Sequence, residues 1–132
     1  MQIRVVSHRD EIPSLNPREF IIHLAFRPTN VDILNLVNAC PKIEAVQVPP
    51  SYIGSVSRFS IMYLGARRIQ LIEGTVWGHR KDLCEYYTIP PSVTIRIQEM
   101  RGLGATAGVI GEKLKNEFRM DAGMIGFLVS KN

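Results

Sequence analysis

Cysteine is nearly absent from the 132 residues. The two present, Cys40 and Cys84, form no CxxC pair, so neither a disulfide framework nor a thiolate zinc site is expected, and reduced thiols in a cytoplasm are the natural reading. Only three histidines occur, and His8, His23 and His79 show no HxH or HxxxH spacing, so no metal is expected. Long apolar runs are also lacking. The longest, Phe20 to Phe26, is broken by His23 and falls far short of the roughly 20 residues a membrane span needs. No N-terminal stretch joins a basic patch, an apolar run and a small-residue cleavage site, so no signal peptide and no membrane partner are expected. An excess of one charge is missing too. The net charge is +4, shared evenly across Pro91, which is a mild bias towards anionic partners without the concentrated basic face of most nucleic-acid binders. Catalytic signatures are wanting: no GxSxG, no paired carboxylates, no nucleophile beside a base. The glycines of GLGATAG, Gly102, Gly104 and Gly108, are spaced one residue too far apart for a dinucleotide fingerprint and follow a helical segment rather than a strand. No cofactor is expected, and binding is favoured over catalysis.

What is present is ordinary core-forming material, 45% hydrophobic and 21% charged. Four short segments, Ile3 to Ser7, Phe20 to Phe26, Ile43 to Val48 and Ile69 to Glu73, are rich in β-branched or aromatic residues and bounded by turn residues, as strands are. Helical signals separate the last three. Thr29 or Asn30 caps a helix bearing Ile33, Leu34 and Val37 and closed by Pro41. Ser51 caps a second, with Ile53, Val56, Met62 and Leu64. Pro13 and Pro17 leave room for only a turn or two of helix in the first connection. This alternation predicts an α/β fold with a small, mostly parallel four-stranded sheet and crossover helices.

The triplets Ile21–Leu24–Phe26, Ile43–Val46–Val48 and Ile69–Ile72–Gly74 repeat at a spacing that resembles leucine-rich α/β units. Period-2 alternation puts Val6, Leu24, Phe26, Val46, Val48 and Ile72 on one face of the sheet. Ile3, Val5, Ile21, Ile43, Ala45, Ile69 and Leu71 fall on the other, which turns polar and open towards Ser7, Gln47 and Glu73.

Open α/β sheets bind ligands beyond the carboxyl ends of their strands. Four strand-end segments converge there if the strands are parallel. They supply His8, Arg9, Arg27, Thr29, Asn30, Ser51, Tyr52, Trp77, His79 and Arg80. The arginines offer bidentate donors to phosphate or carboxylate, the helix starts offer free N–H groups, and Tyr52 and Trp77 offer flat walls. An anionic-ligand site on this rim is the leading expectation. The alternative is an enzyme acting on a phosphorylated or carboxylated small molecule, with His79 as acid/base.

Residues 1–91 form the expected α/β domain, and 92–132 a helical appendage packed on it. Ser92, Thr106 and Asp121 cap three helices in an arrangement resembling a helix-turn-helix. The last, Ala122 to Val129, has none of the side chains that read base edges. Its apolar stripe of Met124, Ile125 and Leu128 suits packing on the sheet or on a second subunit as a homodimer. Phosphate contacts from Arg96, Arg101, Lys113 and Lys115 are the weaker nucleic-acid alternative.

The segments HLAFRPTN (23–30), NACPKIEAVQVPPSY (38–52) and VWGHRKD (76–82), with Tyr86–Tyr87, resemble a family of small uncharacterised proteins from methanogenic archaea. The resemblance runs over essentially the whole chain and implies a cytoplasmic archaeal protein to which no catalytic or binding residue can be transferred.

Overall fold

The computed structural model describes residues 1–76, 85–118 and 120–131. Its sheet contains β1 (Gln2–Val6), β2 (Ile21–Leu24), β3 (Ala45–Val48), β4 (Gln70–Glu73) and β5 (Tyr86–Thr88). The helices are α1 (Asn30–Ala39), α2 (Pro50–Ile53), α3 (Arg58–Ala66), α4 (Pro91–Gly102), α5 (Ala107–Glu117) and α6 (Ala122–Lys131). A 3₁₀ turn, Arg9–Ser14, fills the first connection, with Pro13 inside it.

The strand order is β4-β3-β2-β1-β5. Pairings β1–β2, β2–β3 and β3–β4 are parallel, as expected. The sheet has five strands rather than four, because β5 pairs antiparallel with the outer edge of β1, with Ile3 opposite Tyr87. Three residues ahead of two prolines are too few to show a period, so nothing in the sequence marked it.

The helix expected from Ser51 is two helices. Pro49 stands before α2 and Ser51 lies within it, and Ser57 is the cap of α3, its Oγ accepting from the Ser60 N–H at 3.1 Å. The last strand is also one residue out of phase with the aligned triplets. Val46 sits beside Leu71 and Gln47 beside Ile72, so Ile72 joins the tail side with Ile3, Ile21 and Ala45. Leu71 packs on the opposite side, as do Ile43 and Ile69, which precede the paired residues of their strands.

Each face buries its own core. On one, Val6, Ile22, Leu24, Val46 and Val48 meet Ile33, Leu36 and Val37 of α1 and Leu64 of α3. On the other, Ile3, Ile21, Ala45 and Ile72 meet Val93, Ile97, Ile110, Leu114, Met124, Phe127 and Leu128 of the tail. The tail face is therefore covered to the strand ends, where an open polar surface was expected. Gln47 is 1% exposed and His23 5%.

Candidate functional site

β1, β2 and β3 all end on the rim, and the chain then turns into the 3₁₀ turn, α1 and α2. That places His8–Asp10, Phe26–Asn30 and Pro49–Tyr52 side by side, and side-chain contacts tie them together. The Arg9 guanidinium lies 5.7 Å from the Phe26 ring centroid, and its Nε is 3.3 Å from Asp32 Oδ1. The Arg27 guanidinium lies 5.5 Å from the Tyr52 ring centroid. Cation–π geometry of this kind holds a guanidinium in place while leaving its N–H edge to solvent. His8, Arg9, Asp10 and Phe26 line an open cleft of about 240 Å³.

The hydroxyl of Thr29 caps α1, accepting from the Asp32 N–H at 3.2 Å, while the Asp32 carboxylate accepts from the Thr29 N–H at 2.8 Å. Asn30 is a clasp, its Oδ1 accepting from the hydroxyls of Ser57 and Ser60 and tying the start of α1 to that of α3. Of the residues singled out from sequence, His8, Arg9, Arg27, Thr29, Asn30 and Tyr52 share the rim. Thr29 and Asn30 are occupied structurally, Arg9 is partly neutralised by Asp32, and Ser51 is an exposed residue within α2 rather than a cap. Arg27 has no carboxylate partner among the described residues. Trp77, His79 and Arg80 lie outside the described residues.

The buried polar groups of the sheet escaped the sequence reading. His23 donates from Nδ1 to Gln47 Oε1 at 2.8 Å across β2 and β3. Beside them Asp121 Oδ2 accepts from the Thr75 N–H at 2.6 Å and from its hydroxyl at 3.2 Å. Gln47, Thr75 and Asp121 line a small pocket of about 10 Å³ among Ile3, Tyr87 and Met124, room for about one water. Asp121 was expected to cap α6 with its side chain, but that carboxylate ties the helix start to the end of β4.

On the far side of the sheet Arg4, 7% exposed, is surrounded by Glu11 at 3.4 Å, Glu19 at 3.8 Å and Glu85 at 3.6 Å. Tyr86 donates to Glu19 at 2.8 Å, and burial together with that hydrogen bond raises the phenol's pKa. The signals were polar letters inside strands: Arg4 in QIRVV, His23 in IIHL, Gln47 in AVQV.

In the tail, α6 buries Met124, Ile125, Phe127, Leu128 and Val129 against the sheet, so the helix that a helix-turn-helix would offer to a groove is enclosed. Arg96 is paired with Glu117 at 3.1 Å, which raises the guanidinium's pKa. Arg101 donates to the Val129 carbonyl at 2.7 Å. Among the described residues no helix is long and apolar enough to cross a membrane, and no three His, Cys, Asp or Glu gather where they could hold a metal ion.

Residues 2–85 match the model of the N-terminal domain of a family of unknown function (DUF1699). The match takes in the four parallel strands and stops short of β5 and the tail. No curated protein matches the chain, and no solved structure does.

Proposed function

The chain belongs to that family of unknown function, and we propose that it is a binding or regulatory protein whose rim beside α1 takes a small phosphate- or carboxylate-bearing molecule. One observation carries the reading. Arg27 is an exposed arginine without a carboxylate partner among the described residues, its guanidinium over the Tyr52 ring at 5.5 Å from the centroid. It stands one residue from Phe26, which carries Arg9 in the same way. Two oriented guanidinium edges beside the start of a ten-residue helix make a donor-rich surface, on which a planar group of the ligand can lie against the aromatic rings. No described rim residue forms a nucleophile–base pair, which favours binding over catalysis. On this reading the protein works in an archaeal cytoplasm, as the resemblance implies.

A thermal-shift screen against nucleotides and phosphorylated or carboxylated metabolites tests it. A ligand that raises the melting temperature of the wild type should lose its effect on Arg27→Ala and most of it on Arg9→Ala. Shifts of full size on both variants remove the rim from consideration.

A further inference from the structure

The layer of α1 and α3 has an outer surface of unusual make-up. From Ala45 to Ile72 the chain contains no acidic residue and three arginines, Arg58, Arg67 and Arg68. The one acid of α1, Asp32, is buried, so neither helix shows an exposed carboxylate.

The crest of this surface is apolar. Met62 is 66% exposed, Val31 61%, Phe59 53% and Ile61 49%. An amphipathic helix on a sheet keeps its apolar stripe inward and polar residues outward. Helix α3 turns Ser60 and Leu64 inward yet carries Phe59, Ile61 and Met62 outside, so it is apolar on both sides. Phe59 stacks on Tyr63 with centroids 6.3 Å apart, and the Arg67 guanidinium lies 5.9 Å from the Tyr63 ring centroid, so the aromatic crest has a fixed shape. Aromatic residues, Met and Arg together, with Lys, Glu and Asp depleted, are the composition of a protein–protein interface core.

Charge chooses the occupant. A second copy would set the arginines of one face, Arg58 and Arg67, towards those of the other with no exposed acid on α1 or α3 to offset them, which costs association. We infer that the outer face of α1 and α3 docks a protein partner bearing an apolar ridge flanked by Asp and Glu, with Phe59 and Met62 as the apolar anchors and Arg58 and Arg67 as the charged flank.

The test titrates the full chain, by amide NMR, with two helical peptides that share one leucine stripe, one flanked by Glu and the other by Lys. The account expects saturable binding of the Glu peptide, with shifts centred on Val31, Phe59 and Met62. Affinity should drop at least tenfold for Met62→Asp and for Phe59→Ser, fall for Arg58→Glu, and weaken as salt rises. The Lys peptide should bind at least tenfold more weakly. Arg58→Glu lies at an exposed position, so it reads the charge term even if an apolar substitution disturbs folding. Equal binding of the two peptides, or binding of neither, overturns the inference. So does a dimer in sedimentation that Met62→Asp dissolves, which would make the occupant a second copy. Binding to phosphatidylserine vesicles that Met62→Asp abolishes would assign the face to lipid instead.

Discussion

Cys40 is fully buried, its thiol donating to the Asn16 carbonyl at 3.4 Å. Burial, reinforced by the charge of Glu19 and partly offset by Arg4, pushes its pKa up from 9.0 to about 11. Between those two values the folded chain keeps a proton that the unfolded chain has lost. The stabilisation is whole below pH 9 and drains away as pH climbs towards 11. Unfolding free energy of the wild type should therefore fall across that window more steeply than that of Cys40→Ala, measured by urea titration at each pH. In a Cys84→Ser background the thiol should resist alkylation at pH 8 until denaturant is added; fast labelling of the native protein contradicts its burial. Thr29 offers a second test. Its hydroxyl cap on α1 is worth about 1 kcal/mol, so Thr29→Ala should lower the unfolding free energy by that amount, moving the urea midpoint down while leaving the slope unchanged. A cap at Thr29 or Asn30 was legible because a capping residue just before an apolar period is a local pattern, and the structure gives the role to Thr29. The Arg4 cluster was not, because its carboxylates come from three separate segments and only the folded chain brings them together.

Among the elements, α6 is set by two close approaches. A Cβ on Gly123 would stand 2.6 Å from Ile72 Cγ2 and 3.1 Å from the Glu73 carbonyl oxygen, whereas one on Gly126 would meet nothing within 4 Å. Gly123→Ala should thus destabilise by about 1–3 kcal/mol through overpacking against the sheet. Gly126→Ala should stabilise by about 0.5–1 kcal/mol through helix propensity. Opposite signs from two alanines three residues apart in one helix check the packing, and equal signs contradict it. Between α3 and β4, Arg68 adopts φ 60°, where a side chain is strained. Arg68→Gly should raise stability by about 1 kcal/mol in the same assay. The elements themselves could be read from period and punctuation. Parity in β4 could not, since a period-2 pattern says which residues share a face but not which face of the sheet they take.

At the scale of the whole molecule, the parallel arrangement of β1 to β4 and the meeting of the segments that follow β1, β2 and β3 were legible in strand–helix alternation. The sequential order also means that the four parallel strands have no point where order reverses, so the sheet lacks the crevice that doubly wound sheets use for ligands, and the proposed site is the rim on the α1 side. The tail closes the other face, because its helices hold enough buried apolar surface to cover Ile3, Ile21, Ala45 and Ile72. The apolar stripe of α6 pointed to packing on the sheet or on a second subunit, but that the tail reaches the strand ends depends on long-range packing that no local pattern encodes. The most direct measurement is an NMR titration of the arginine Nε–Hε signals with inorganic pyrophosphate. The account predicts that the Arg27 signal moves and saturates with one Kd, that the Arg9 signal, its Nε–H already facing Asp32, follows the same curve with a smaller shift, and that the Arg96 signal, held by Glu117 away from the rim, stays still. Should Arg27 fail to respond, or should all three drift in proportion to added anion, the rim is not a binding site.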